Sequence, residues 1–154
     1  MRISRIYVTE SLPPGQELQL AEKTSHYLLK VLRLKPGNRL ILFNGDGYNY
    51  DAELVAADKK TATISILQRG TKEEPASLDI HLGIGLSKGD RMEMAAQKAT
   101  ELGVSKITPL ITEYTTVKYK ADQLKKKMLH WQGILQAACE QSGRRYLPVL
   151  QQPT

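Results

Sequence analysis

The stretch AACEQSGRR, residues 137–145, places the single cysteine of the chain, Cys139, beside Glu140, Gln141, Ser142 and Arg144. Two chemistries follow from those residue types. A thiolate attacks a substrate covalently where its surroundings are electropositive and open. Otherwise the cysteine packs, as free cysteines commonly do, and its polar neighbours meet a ligand. On a helical projection Cys139 falls at the edge of an apolar stripe, Glu140 points away from it and Gln141 flanks it. Packing is therefore the favoured reading for Cys139. With Ser142, Gly143 and Arg144, the residues Glu140 and Gln141 form a polar rim, either a solvated helix end or a wall of a ligand cleft near strand ends.

Other patterns compete for the site. Gly83, Gly85 and Gly89 follow a strand and open a helix, where a dinucleotide-binding loop sits, but the spacing departs by one from GxGxxG and no ribose-binding acid stands at the right distance. Close packing of small residues accounts for them better. His26, His81 and His130 are scattered and one cysteine makes no Cys-x-x-Cys pair, so a metal site is not expected. Arg2, Arg5 and Arg33, the trio Lys88, Arg91 and Lys98, and the run Lys125-Lys126-Lys127 are phosphate-contact candidates. Taken singly, each reads better as solvated surface.

The elements that must position these groups fall into two styles. Through residue 70 apolar residues alternate, as half-buried strands require. Strands are expected over 5–9, 39–43, 48–56 and 61–68, with a short helix over 25–31. Asn44-Gly45-Asp46-Gly47 and Asp58-Lys59-Lys60 supply turns. This half, 1–70, reads as a small β-barrel that removes its own edges. Residues 71–77 carry Pro75 and no apolar period, and read as a linker. Beyond it the spacing predicts a strand over 78–86, a helix over 87–102 capped by Ser87 with Asp90 as its capping-box partner, a strand over 106–112, a helix over 122–142 and a strand over 147–151. The apolar stripes are Met92, Ala95, Ala96, Ala99 and Leu102 on the first helix, and Leu124, Met128, Trp131, Leu135 and Ala138 on the second. That order implies a parallel sheet with right-handed crossovers, Gly103 stopping the first helix.

Composition narrows the classes. With 154 residues, 41% hydrophobic and 25% charged, the chain has the make-up of a globular protein of one or two domains. No apolar run reaches the roughly 20 residues of a membrane span. Met1-Arg2-Ile3-Ser4-Arg5 opens no signal peptide, so a cytoplasmic protein without a membrane partner is expected. The formal charge of +6 favours a polyanionic partner.

Read in order, several segments together resemble the N-terminal part of the RsmE family, the 16S ribosomal RNA uridine N3-methyltransferases. They are Arg5-Ile6-Tyr7, residues 26–33 (HYLLKVLR) with Gly37, Leu42-Phe43-Asn44-Gly45, residues 88–93 (KGDRME), 97–104 (QKATELGV), Ile107-Thr108-Pro109-Leu110, Trp131 and residues 137–144 (AACEQSGR). The resemblance implies a PUA-like β-barrel over 1–70 that helps hold ribosomal RNA, and the first half of an α/β SPOUT domain over 78–154. It implies S-adenosylmethionine as methyl donor, held by a C-terminal knot absent here, 16S ribosomal RNA of the small subunit as substrate, and a homodimer through the SPOUT domain. No donor-binding residue is assigned in this chain, because the Gly-Pro-Glu-Gly-Gly loop and the Leu-Arg-x-Glu-Thr segment do not occur. The chain alone is expected to be inactive. By the same resemblance Glu140, Gln141 and Arg144 form an RNA-facing or dimer-facing wall, with Cys139 packed behind them. The uridine base is then itself the nucleophile. Two other readings stay open: an RNA-binding or partner-binding module without chemistry, and a nucleotide-dependent oxidoreductase resting on the glycine pattern.

Overall fold

The structure, a computed structural model, describes residues 3–154, so Arg2 lies outside the described residues. It divides into two compact units, residues 1–74 and 75–154.

In the first unit the elements are β1 (Ser4–Tyr7), β2 (Glu17–Gln19), α1 (Glu22–His26), β3 (Arg39–Phe43), β4 (Tyr48–Ala57) and β5 (Ala62–Lys72). The sheet order is β1-β3-β4-β5-β2, with β1 parallel to β3 and the other pairs antiparallel. Alternation drives it: Leu40 and Leu42 on β3, Leu54 on β4 and Ile64 and Ile66 on β5 turn inward with Ile6. The expected barrel closure is not made by backbone pairing; among the described residues the ladder ends on β1 and β2. Thr71 and Lys72, expected in the linker, continue β5, because Tyr48 offers Lys72 a partner. β2 was not expected at all. It is only three residues long, but it pairs with β5 at Leu18↔Ile64.

The helix expected at residue 25 begins earlier and changes type. After α1 the chain forms one π-helical turn, Tyr27–Val31, in which Leu32 N donates to the Tyr27 carbonyl at 2.9 Å. That turn seats Leu28 fully in the core. Ser25, also fully buried, donates to the Leu20 carbonyl and accepts from Ala62 N, both at 3.0 Å. Between β3 and β4, Asp46 accepts from Tyr48 N at 2.9 Å and from the Tyr50 hydroxyl at 2.6 Å.

The second unit contains β6 (His81–Gly85), α2 (Arg91–Glu101), β7 (Lys106–Leu110), α3 (Ala121–Ser142) and β8 (Val149–Leu150). The three strands are parallel, in the order β6-β7-β8. Both helices pack on each other and bury Met92, Ala96, Trp131 and Leu135 against Ile107. Gly143, at φ 84°, ends α3: its N–H donates to the Cys139 carbonyl at 3.1 Å, in a conformation that suits glycine.

Boundaries also differ from expectation: β7 ends at Leu110 and β8 is only Val149–Leu150. α2 starts at Arg91 with Asp90 at the N-cap and no side-chain cap, so Ser87 caps nothing; residues 88–90 form a turn instead. Leu102 is 85% exposed, since the helix has ended by that point, and Thr100 takes the buried position because its hydroxyl is satisfied by the Ala96 carbonyl at 2.7 Å. Leu78 and Ile80 are exposed and precede β6 rather than starting it.

Truncating Leu135, fully buried, to alanine should cost about 2–5 kcal/mol. Leu102→Ala should stay within about 0.5 kcal/mol. Urea unfolding of both variants measures the contrast, and equal losses would overturn this account of the α2–α3 core. Burial first, then the hydrogen bond to Asp46 and its charge, push the Tyr50 hydroxyl up from 10.0 to about 12, Arg69 opposing them. The folded state thus holds this proton more tightly than the unfolded chain does. Its contribution to stability should be intact below pH 10 and fade as pH rises to about 12. Absorbance titration of tyrosinate, wild type against Tyr50→Phe, should show one late-ionising tyrosine missing in the variant.

Candidate functional site

In an open α/β sheet the loops beyond the carboxyl ends of the strands receive ligands. Here those loops are residues 86–90 after β6 and 111–120 after β7. Lys88 and Arg91 stand exposed where the first of them enters α2. Lys98, the third member of the expected basic trio, sits further along α2 and pairs with Glu101 at 2.9 Å, so part of its charge is already answered. Gly83 fits the bland reading: a Cβ there would meet Leu110 Cδ1 at 3.1 Å, so the residue allows β6 and β7 side chains to approach. Gly89 serves the turn at φ 69°. No separate nucleotide cradle is needed to explain the pattern.

The rim at the end of α3 lies toward the opposite, amino-terminal edge of the sheet, where α3 leads into β8. Cys139 is fully buried and its Sγ contacts the Tyr146 carbonyl at 3.6 Å, which agrees with a packing role. Arg144 reaches across to α2: its Nη1 donates to the carbonyls of Thr100 and Val104, both at 2.9 Å. Those are carbonyls at and just beyond the helix end, and a guanidinium is the natural partner for them. Glu140 is half-buried. Gln141 lines a groove of about 380 Å³ between the helices, together with Asp90, Glu93, Met94, Gln97 and Ile134. The structure therefore brings Gln141 to a groove and gives Arg144 an anchoring contact.

A second cavity, of about 590 Å³, opens at the other end of α3, between Lys118, Tyr119, Gln123, Lys126, Lys127 and His130. Sequence reasoning saw the lysine run but not its convergence with Lys118 and Tyr119, which only the path of residues 111–120 creates. His130 Nε2 lies 2.9 Å from Glu93 Oε1, so these two side chains meet between the groove and the cavity. Among the described residues no cluster of histidine, cysteine and carboxylates has metal-binding geometry.

In the first unit, considered by itself, Arg5 is partly withdrawn from solvent. Its guanidinium lies 4.5 Å from the Phe43 ring centroid and donates to Asn49 Oδ1 at 2.9 Å. Arg33 is exposed and adopts φ 54°, the one described non-glycine residue on the left-handed side. A bulky residue held there stores strain, a mark of functional positions. Unforeseen in the sequence, Arg69 stacks over Tyr48 at 4.5 Å with Lys72 at 5.9 Å.

Comparison with known proteins places this geometry. Residues 73–154 match the family described as RNA methyltransferase domain, and residues 20–67 match the RNA methyltransferase PUA domain. The ribosomal RNA small subunit methyltransferase E of Buchnera aphidicola (subsp. Schizaphis graminum) is 38% identical over 152 residues, covering 99% of this chain and 62% of the relative. A Legionella pneumophila protein solved with bound SAM superposes with a TM-score of 0.95 at 42% identity, over 100% of this chain and 64% of its own. The ribosomal RNA small subunit methyltransferase E of Neisseria gonorrhoeae, solved with S-adenosyl methionine, gives 0.92 at 35% identity, over 99% and 63%. The chain thus spans less than two thirds of the length of these relatives. With a PUA-like α+β unit leading into a parallel α/β unit, it belongs to the RNA methyltransferase domain family.

Proposed function

We propose that this chain is the RNA-facing N-terminal portion of a cytoplasmic, homodimeric methyltransferase that moves a methyl group from S-adenosylmethionine to N3 of a uridine in 16S ribosomal RNA. The observation that carries the reading is the agreement in fold, along 99% of the chain, with the Neisseria gonorrhoeae enzyme solved with S-adenosyl methionine. Basic side chains at the carboxyl edge, Lys88 and Arg91, and the strained, exposed Arg33 of the first unit support an RNA partner.

The residues lining the α2–α3 groove and the basic cavity do not fit the whole methyl donor. A sulfonium is repelled by the lysines around the larger cavity, and the groove between α2 and α3 is walled by helical side chains with no aromatic or glycine-rich slot for an adenine. We assign the donor to the part of the relatives' length that this chain does not span. What this chain contributes is grip and orientation of the RNA. The donor, when bound, would supply a methyl electrophile: N3 of the uridine would give its proton to solvent and form the N–CH3 bond as the S–CH3 bond breaks, S-adenosylhomocysteine leaving, with the base as nucleophile. Buried Cys139 takes no covalent part. Glu140 and Gln141 remain the proposed wall toward RNA or a second subunit, while Arg144 holds that wall in place through α2.

A runner-up, an RNA-binding module without chemistry, is favoured for the chain taken alone because neither the α2–α3 groove nor the basic cavity offers an adenine slot. Incubating the intact protein with S-adenosylmethionine labelled in its methyl group and 16S RNA should label one uridine and stop reverse transcriptase there, since N3 methylation blocks base pairing. RNA binding without label would leave the module reading standing and withdraw the enzymatic one. Arg144→Met should lower the unfolding free energy by about 1.5–3 kcal/mol, because a charged donor leaves two carbonyls. RNA affinity at saturation of the folded form should change less than about threefold. Undiminished stability with a much larger loss of affinity would instead put Arg144 on the RNA.

A further inference from the structure

We propose that the basic cavity at the start of α3 is a docking site for a backbone phosphodiester of the RNA substrate, an inference that rests on the RNA reading above. Lys118, Lys126, Lys127 and His130 converge on about 590 Å³, and none of its lining residues is a carboxylate. Glu93 reaches the cavity's rim, meeting His130 at 2.9 Å and standing 4.0 Å from Lys127, while Asp122 in the first turn of α3 makes no ion pair with Lys126. One carboxylate thus serves two of the four basic groups. Lys118 and Lys126 have no ion pair among the described residues.

Solvated surface is the bland account of any lysine run. It suits Lys125, which faces a different groove beside Ala121, Leu124 and Met128. It does not account for Lys118, brought in by the loop after β7 to face Lys126 and Lys127 across one opening. Like charges gathered in a concave site raise the local potential and select an anion.

The remaining lining points to a phosphodiester. Gln123 Oε1 accepts from Lys120 N at 3.0 Å, so the side-chain amide is left to donate. Each polar side chain on the cavity side can then donate, as acceptor oxygens of phosphate require. Tyr119, half-buried against the core, adds a ring on which a flanking base can stack. A pocket for a free mononucleotide needs groups that enclose the base as well, and the aromatic wall here is single. The place is also right: residues 118 and 119 follow the carboxyl end of β7.

The test uses the intact protein carrying Lys118→Gln and Lys126→Gln together. Fluorescence anisotropy with a labelled 16S oligoribonucleotide is recorded across a KCl series. Affinity at low salt should fall about tenfold, and the slope of log affinity against log salt should shrink by about 1–2. Lys125→Gln should leave both within twofold, and Lys126→Arg should retain binding. Unchanged affinity and slope in the double variant, with wild type binding RNA normally, would overturn the cavity assignment and leave the RNA reading intact. Wild type failing to bind RNA would remove both. UMP protecting Lys126 from acetylation as well as the oligonucleotide does would assign the cavity to a small phosphate and overturn the RNA assignment.

Discussion

Arg144 fastens the α/β unit. A parallel sheet cannot be built from hairpins, so each strand must be reached by a crossover whose helix packs back on the sheet. Two such helices bring a problem at their ends, where carbonyls lose their helical partners. One guanidinium on the loop after α3 answers it for α2, through the carbonyls of Thr100 and Val104. Around it the amino edge of the sheet is tied further: Ser105 N donates to the Ile80 carbonyl, the Ser105 hydroxyl meets Asp79, and Val149 N donates to the Ser105 carbonyl. These ties continue the β6–β7 and β7–β8 ladders at that edge.

That fastening divides the unit into a closed end and an open one. On the amino edge Asp79, Ser105 and Arg144 are engaged with neighbouring groups of the same unit. On the carboxyl edge, Lys88, Arg91, Lys118 and Lys126 are exposed. Charge left uncompensated costs little in water and gains much when an anion arrives, so the open end is where binding free energy is available. The Glu93–His130 contact joins a residue lining the α2–α3 groove to one lining the basic cavity.

Much of the fold was legible because alternation and helical stripes report burial directly. β3 was read to the residue, α3 to within one, and the parallel pairing of β6, β7 and β8 followed from element sequence alone. What escaped was short, local or distant. β2 has three residues and draws its stability from β5, not from its own pattern. The π-helical turn leaves no periodic trace in five residues. Ser87 looked like a cap because serine often is one, but a turn intervened. In the site, Cys139 was legible from its place beside a stripe. Arg144 was not, since its partners lie 40 and 44 residues away, and neither was the meeting of Lys118 with Lys126, which depends on the route of an irregular loop.

The β4–β5 hairpin carries a consequence for how the chain acquires its structure. Its two strands are 10 and 11 residues long, form the longest ladder described, and are joined by residues 58–61 alone. Contacts of such low sequence separation close before those that need a long loop, on the order of 1–10 μs for a hairpin. β3 and β2 can then add to edges that already exist. The parallel sheet has no such local start, because β6 must wait for α2 before it can pair with β7. During synthesis from the N-terminus, the first unit can therefore be folded while the second is still being made.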